Sequence, residues 1–215
     1  MKNKLSINQQ VWKALNADLA INKDLHRDLI NTRALARYLL KKFHLSASLD
    51  SIISSIRRFQ SEEDFGEAEE KIISVFKNSI ISTKNNIVCI TLNLLPHEFF
   101  QKVCALPIKN NQNWRIITGR KDIKIFIEHT QLVAVKNMFS KETITKIEDD
   151  LSEISVVVSE EAVQTKGVLA KMAGEIALAN INISEIVICT PEFFIYVKQK
   201  DILKAHESIL KLGRE

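Results

Sequence analysis

Glycine, proline and cysteine are all scarce in this sequence, with 5, 3 and 3 residues among 215. The chain has no glycine-rich loop to cradle a phosphate and no kinase-type lysine motif. Its histidines have neither one another nor a cysteine at metal-ligand spacing. They are His26, His44, His97, His129 and His206. The carboxylate pairs Asp149-Asp150 and Glu160-Glu161 lie at a predicted strand end or turn, where solvated charge is the ordinary explanation. We therefore expect no catalytic residues, no metal and no cofactor.

Long apolar runs and paired cysteines are also missing. The sequence has no run of about 18 apolar residues, the length needed to span a membrane. The first four residues also lack the apolar run of a secretory signal. Cys89, Cys104 and Cys189 are odd in number and isolated, which favours buried, reduced thiols over disulfides. Because 46% of the residues are apolar, we expect two or three packed domains of a soluble, cytoplasmic protein with no membrane partner.

Charge is distributed unevenly along the chain. Residues 1–60 contain eleven lysines and arginines against four aspartates, a net charge of +7, and the total of +4 leaves −3 for the remainder. A small basic domain joined to an acidic one indicates an anionic partner for the first, and nucleic acid is the usual candidate. The alternative is a lysine-rich helical surface that is merely solvated.

The basic segment has the apolar spacing of helices, and we assign it as a domain of residues 1–62. A first helical stretch runs from Gln9 to Ile30, with a break expected near Asn22. A second helix begins at Asn31 or Thr32 and a third at Ser46 or Ser48. The expected inward apolar residues include Val11, Leu15, Leu19, Ile21 and Leu25 in the first stretch, Leu35, Ala36, Leu39, Leu40 and Phe43 in the second helix, and Leu49, Ile52, Ile53, Ile56 and Phe59 in the third. Two such helices across a short turn match a helix-turn-helix.

The outer face of the third helix is predicted to carry Ser51, Ser54, Ser55, Arg57 and Arg58. Small hydroxyl side chains permit close approach to a major groove, and arginine reaches phosphate or guanine. The candidate DNA-binding residues are Arg33, Arg37, Ser51, Ser54, Arg57 and Arg58. Three-helix units that only dimerise or dock have the same pattern, so this alternative stays open. The acidic stretch Gln60–Gly66 is predicted to be a linker rather than a β wing.

The middle of the chain is predicted to follow a strand, helix, strand, strand, helix, strand order. A linker helix occupies residues 63–78, with its regular part at Glu67–Phe76, and Ser79–Thr83 is a short β-prone run. The expected elements are then strands at Ile87–Leu94, Trp114–Thr118, Ile123–Glu128 and Thr143–Ile147, and helices at Pro96–Leu106 and Gln131–Phe139.

The same order begins again near the carboxyl end. A β-branched strand, Ile154–Val158, is followed by Gly167 and a helix with apolar positions at spacings of three and four, ending near Asn180. Two strands, Ile181–Cys189 and Phe193–Val197, form a hairpin through Thr190, Pro191 and Glu192. Asp201 is predicted to cap a final helix. This second copy has no fourth strand of its own.

This part of the chain resembles the ACT domain, the regulatory module of amino-acid metabolism, and specifically the ACT pair at the carboxyl end of aspartate kinases. The likeness is carried by Ile147–Leu151 with Ile154–Val158, by Gly167–Met172 and by Asn180–Ile183. The resemblance implies an α+β fold with a first ACT domain at residues 79–148 and a second at 149–215, both ferredoxin-like. It also implies an interlocked pair in which residues 79–83 supply the missing strand of the second domain. The kinase catalytic domain has no counterpart in the sequence.

The resemblance implies a ligand site at the glycine before the predicted helix. Glycine tolerates the backbone angle and the close approach of an amino acid's α-amino and carboxyl groups, and the first amides of the helix are unsatisfied. The candidate ligand-binding residues are Gln164, Thr165, Lys166, Gly167, Val168 and Asn182. The alternative is a glycine that only permits a tight turn. The hairpin Ile186–Phe193 is about two residues longer than in the kinases, so contacts from that edge do not carry over. The equivalent loop of the first copy, Asn93–His97, has no glycine and is a weaker candidate.

Together these features predict an amino-acid-sensing regulator without enzymatic activity, in which the basic helical domain binds DNA and the ACT pair binds a small effector. ACT domains associate with one another, so the expected partner is a second copy in a homodimer or larger assembly. The alternative is a regulatory subunit that controls a biosynthetic enzyme in trans without binding DNA. A third interpretation is a scaffold that has kept the architecture and lost the ligand.

Overall fold

A computed structural model describes residues 5–62, 65–104 and 114–214, without the side chains of residues 62, 65–69, 104 and 163. The chain divides into two compact units, residues 1–70 and 71–215. Among the described residues, no helix combines the length and the apolar character needed to cross a bilayer. The described part of the chain also lacks any group of three histidine, cysteine or acidic residues that could hold a metal ion.

The first unit is built from short helices whose ends are set by capping side chains. Its helices are α1 (Ile7–Asn16), α2 (Leu19–His26), α3 (Thr32–Phe43) and α4 (Leu49–Glu62). Ser6 and Gln9 form a capping box at α1, and Asn31 accepts hydrogen bonds from the first amides of α3. Ser48 accepts from the amide of Ser51 at the start of α4. The helices enclose an apolar core formed by Val11, Ala14, Leu15, Leu25, Leu35, Ala36, Leu39, Ile52, Ile56 and Phe59.

Three expectations for this unit were wrong. The first helical stretch breaks at Ala17 and Asp18 rather than at Asn22, because the Asp18 carboxylate caps a new helix. Leu19 and Phe43, predicted to point inward, are 59% and 41% exposed. Ser55, predicted on the outer face, is completely buried. These residues lie at the edges of the apolar stripes, where spacing alone does not determine burial.

The second unit contains an antiparallel six-stranded sheet, and helix α5 (Phe65–Lys77) leads into it. The further elements are β1 (Ile80–Leu92), α6 (Pro96–Cys104), β2 (Arg115–Thr118), β3 (Ile123–Glu128), α7 (Leu132–Lys136), β4 (Ile144–Val157), α8 (Val168–Leu178), β5 (Ile183–Cys189), β6 (Glu192–Lys198) and α9 (Ile202–Lys211). The strand order is β2-β3-β1-β4-β6-β5. This is an α+β fold with an antiparallel sheet, as expected.

The two central strands are longer than the sequence indicates. β1 joins the predicted runs at Ser79–Thr83 and Ile87–Leu94, and β4 joins those at Thr143–Ile147 and Ile154–Val158. Their mutual register shifts between Lys84 and Ile87 and again between Ile87 and Cys89. Strands pair across these shifts as β-bulges, which accommodate unpaired residues and bend the sheet. Each long strand therefore contributes to both halves of the sheet, and residues 80–84 pair with residues 153–157.

All helices of this unit that contact the described core lie on one face of the sheet. Near β2 and β3, α6 and α7 cover a core that includes Ile90, Phe99 and Ile125. Near β5 and β6, α5, α8 and α9 cover a second core that includes Val75, Met172, Ile195 and Ile209. Side chains of directly paired residues project to the same face of a sheet. The pairing of β1, β3, β4 and β6 therefore places both cores on the same face of this sheet.

The other face of the sheet folds back on itself. Two strands separate β3 from β6, which in a flat sheet would hold them about 14 Å apart. Instead the rings of Phe126 and Tyr196 stack with centroids 4.0 Å apart. They belong to an inner core together with Ile87, Cys89, Leu151 and Phe194. The two halves of the sheet thus pack face to face, with helices outside both.

Several helix boundaries differ from the expected ones. α7 ends at Lys136 instead of Phe139, and a 3₁₀ turn at His129–Gln131 precedes it. α4 continues to Glu62, through the first part of the expected linker. Asp201 stands before α9, but its side chain makes no capping hydrogen bond. The predicted end of α6 at Leu106 lies outside the described residues.

Candidate functional site

The loop before α8 has the backbone geometry that the sequence indicates. Gly167 has φ 92° and ψ −4°, in the left-handed region that favours glycine, and it occupies the position before the first helical residue. Its carbonyl accepts a hydrogen bond from the amide of Lys171 at 2.8 Å. Gly167 has no side chain with which to cap the helix, so the first amides of α8 lie uncapped by this residue, and such helix starts can bind a carboxylate.

Helix α5 covers one side of this glycine. A Cβ atom added to Gly167 would lie 3.2 Å from Cδ1 of Ile72, which is 9% exposed. Gly167 itself remains exposed on another side. The sequence offered no signal for this contact, because Ile72 and Gly167 are 95 positions apart in the chain. Ile72 thus covers the Cβ side of Gly167, while the residue as a whole remains exposed to a ligand.

The other predicted ligand-binding residues differ in their surroundings. Gln164 and Lys166 are exposed, and the Thr165 hydroxyl donates to the carbonyl of Glu161 at 3.0 Å. The Val168 side chain is 3% exposed and belongs to the core, so only its backbone is placed to meet a ligand. Asn182 is exposed and follows Ile181, which packs in the same core as Val168.

The loop before α6, the expected counterpart of the loop before α8, is arranged differently. α6 begins at Pro96, and the amide of Leu95 donates to the Glu98 carboxylate at 3.2 Å. A side chain of the protein therefore already occupies one amide at this helix start. This arrangement makes the first loop the poorer anion site of the two.

The predicted DNA-binding residues lie on the surface of the first unit. Arg33 and Arg37 lie one turn apart on α3, and both are exposed. The exposed candidates on α4 are Ser51, Ser54, Arg57 and Arg58. Positions 51, 54 and 58 share one side of α4 because they are three and four residues apart. The Arg58 guanidinium donates to the carbonyl of Ser54 at 3.4 Å. Their exposure is compatible with a partner surface, while Ser55 is buried beneath it.

A buried polar cluster between the two halves of the sheet had no sequence signal. Glu153 is 4% exposed. Its carboxylate accepts hydrogen bonds from the Arg115 guanidinium at 3.1 Å and from the Tyr196 hydroxyl at 2.7 Å. Arg115 also lies 3.6 Å from the ring centroid of Phe194. Burial, and secondarily the Glu153 carboxylate, raises the pKa of Tyr196. Lys124 and Glu185 pair across the same gap. These contacts hold the folded-back sheet together.

A second feature that the sequence did not indicate is a polar cavity of about 670 Å³ at the bend of the sheet. It is lined by Lys84, Asn85, Asn86, Glu128, His129, Thr130 and Asp149. We expected Asp149 to carry solvated charge and His129 to take no part in a metal site. The register shifts between β1 and β4 bring these lining residues together from distant parts of the chain, which no local pattern could indicate.

Comparisons with known proteins identify the fold. No family model matches the chain, and no curated protein matches it. Among solved structures, aspartokinase alpha and beta subunits superpose with a TM-score of 0.54 at 16% identity, covering 67% of this chain and 99% of that one. The regulatory subunit of aspartate kinase from Thermus flavus gives 0.52 at 15% identity, covering 61% and 95%. Aspartate kinase from Clostridium acetobutylicum gives 0.52 at 19% identity, covering 62% of this chain and 34% of that one.

This chain therefore has the fold of the ACT-type regulatory domains of aspartate kinases, as the resemblance in the sequence predicted. It spans about a third of the length of the Clostridium acetobutylicum enzyme. At these levels of identity the likeness concerns the fold, and the ligand and partners of this chain are matters of proposal.

Proposed function

We propose that this protein is an amino-acid-responsive regulator, in which the second unit forms an interlocked pair of ACT modules that bind a small effector. The observation that carries this proposal is the glycine-opened start of α8 in a fold shared with aspartate kinase regulatory subunits. In the proposed pair, residues 80–84 complete the second module by pairing with β4. The protein is proposed to act by binding rather than by catalysis.

In the proposed site the effector carboxylate binds at the amino end of α8. The unsatisfied amides near Gly167 and Val168 donate to it, and Lys166 supplies a positive charge. Asn182 offers both a donor and an acceptor for the α-amino group or a polar side chain. Because α5 packs beside Gly167, an occupied site would also be sensed by the helix that leads out of the first unit.

A thermal-shift screen with each of the twenty amino acids tests this site. An effector present at about 100 times its dissociation constant should add near 2.7 kcal/mol to the free energy of unfolding. The variant Lys166→Met should weaken the effect, whereas Lys121→Met, an exposed lysine in the β2–β3 turn, should not. Twenty null results would instead favour a scaffold that has lost its ligand.

We further propose that the α3–α4 surface binds DNA. Four exposed arginines and two exposed serines on these helices, within a segment of net charge +7, support this part of the proposal. If a second copy associates through the ACT modules, an effector could alter the spacing of two such surfaces. A preference of about 1–3 kcal/mol for one arrangement would be a sufficient switch.

Binding to random duplex DNA at several salt concentrations tests the DNA contact. Counterion release predicts a steep negative slope of log affinity against log salt, and the double variant Arg57→Ala, Arg58→Ala should make it shallower by about 2. Arg120→Ala, in an exposed turn of the second unit, is the matched control. A slope near zero for the unaltered protein would remove DNA from the proposal.

A second candidate function is control of a biosynthetic enzyme in trans. The likeness to a separate regulatory subunit of aspartate kinase favours it. The first unit would then serve as a docking surface. An amino-acid-dependent thermal shift combined with a flat salt slope would support this function over DNA binding.

A further inference from the structure

The polar cavity at the bend of the sheet is formed by three segments that are far apart in sequence. Residues 84–86 lie where β1 changes register, Glu128 ends β3 and is followed by His129 and Thr130, and Asp149 lies in the bulged part of β4. Asn86 has a left-handed backbone conformation, with φ 57°, which asparagine tolerates better than most residues. The cavity volume of about 670 Å³ lies within the usual range for small-molecule sites.

Charges of both signs line this cavity without neutralising one another. Lys84 faces a space shared with Glu128 and Asp149, yet within the described chain none of the three forms an ion pair. Charges just outside the cavity behave differently, because Lys198 pairs with Asp150 at 2.6 Å and Lys146 with Glu148 at 2.9 Å. No ion pair within the described chain therefore neutralises these lining charges, which leaves them available to a ligand that carries both signs.

The uncharged part of the lining is also anchored. The Asn85 side-chain oxygen accepts a hydrogen bond from Ser152, a completely buried residue of β4, at 3.0 Å. This bond orients the Asn85 amide and leaves its NH₂ group as a donor. Asn86, His129 and Thr130 add polar groups to the rim.

We propose that this cavity is a second effector site, which binds a zwitterionic small molecule of the α-amino acid class. The ligand carboxylate meets Lys84 and the Asn85 amide, and its ammonium group meets Glu128 and Asp149. The choice of ligand class rests on the proposed function, but this second site lies at the bend of the sheet instead of at Gly167.

A ligand in this position would couple the two halves of the sheet. Lys84 belongs to the part of β1 that pairs with residues 153–157, whereas Glu128 belongs to β3 of the other half. Binding that bridges them would favour one degree of bending, and hence one packing of the inner faces. This is a differential interaction of the kind that a population shift requires.

Two-dimensional NMR of the ¹⁵N-labelled 215-residue chain, titrated with each L-amino acid, tests the proposal. We expect saturable shift changes at residues 84–86, 128–130 and 149. N-acetylated and methyl-ester forms of the effective amino acid lack one charge each and should bind at least about tenfold more weakly. The variants Lys84→Met and Asp149→Asn should weaken binding to a similar extent, because each removes one charge partner.

Exposed residues elsewhere provide matched controls, and Lys141→Met and Asp122→Asn should leave the affinity unchanged. Shift changes confined to residues 164–168 and 182 would overturn the cavity site and leave the proposed function standing. Changes at the cavity but not at that loop would support the cavity and remove the Gly167 site. An affinity that survives both Lys84→Met and Asp149→Asn would also overturn the proposal, and no response to any amino acid would overturn both sites.

Discussion

At the scale of single residues, Glu153 determines how the inner faces of the sheet meet. A carboxylate that is 4% exposed is costly to bury unless it is paired and hydrogen-bonded. Arg115 and Tyr196 meet this requirement from β2 and β6, strands that lie on opposite sides of β4 in the sheet. This buried carboxylate thus links strands on both sides of β4.

Removing the positive partner of Glu153 should be strongly destabilising. Arg115→Met leaves a buried, uncompensated carboxylate and should lower the free energy of unfolding by about 3 kcal/mol, measured by urea denaturation. Arg120→Met, five residues away in an exposed turn, should change it by less than about 0.5 kcal/mol. Equal effects of the two variants would contradict the role assigned to the buried pair.

The protein should lose stability under alkaline conditions. Burial raises the pKa of Cys89 to about 11, and burial also raises that of Tyr196. The Cys89 thiol has a higher pKa in the folded state than in the unfolded state. Its contribution to the free energy of unfolding is therefore complete below the unfolded pKa near 9 and is lost as pH rises through about 11. Each such proton contributes a slope of up to about 1.4 kcal/mol per pH unit.

Denaturation curves between pH 8 and about 11 measure this slope. The variant Cys89→Ala should reduce it, because the thiol no longer titrates. Cys189, which was expected to be buried, is exposed, and Cys189→Ala should leave the slope unchanged. A slope that is the same in both variants would exclude Cys89 as a source.

At the scale of secondary-structure elements, the sequence indicated element type more reliably than element length. β1 and β4 were each predicted as two strands, because the polar residues Asn85-Asn86 and Asp149-Asp150 interrupt their apolar patterns. In the structure these residues are accommodated by bulges, so pairing continues on both sides. Boundaries that depend on such long-range pairing are not encoded in local hydrophobicity.

The two glycines at α8 should respond in opposite directions to substitution by alanine. Gly167→Ala places a side chain at positive φ and 3.2 Å from Ile72, and should cost about 1–2 kcal/mol. Gly174 lies inside the helix, where an added Cβ meets nothing within 4 Å, so Gly174→Ala should stabilise by about 0.5–1 kcal/mol. Thermal unfolding of both variants measures these changes. A neutral Gly167→Ala would show that its backbone angle is not required.

At the scale of the whole molecule, the chain separates into a helical unit and an α+β unit with their own apolar cores. The change in charge along the sequence, from +7 in residues 1–60 to −3 in the rest, follows nearly the same division. Each unit buries its own core, so each is expected to fold independently.

A fragment of residues 65–215, which begins at the start of α5, should therefore unfold cooperatively. It should also keep any amino-acid-dependent thermal shift of the full chain, because both proposed ligand sites lie in it. Circular dichroism during heating, with and without the effective amino acid, is the measurement. A fragment without a cooperative transition would show that the first unit is needed for folding of the second.

The amino-acid sequence by itself determined which segments are helices or strands, the order of elements along the second unit and the glycine before α8. These properties follow from local spacing, capping residues and backbone freedom, which act over a few residues. Only the tertiary structure decided the continuous course of β1 and β4, the burial of Glu153 and Ser55, the contact of Ile72 with Gly167 and the polar cavity. Each of these depends on contacts between segments distant in the chain, and no local pattern specifies the register that brings them together.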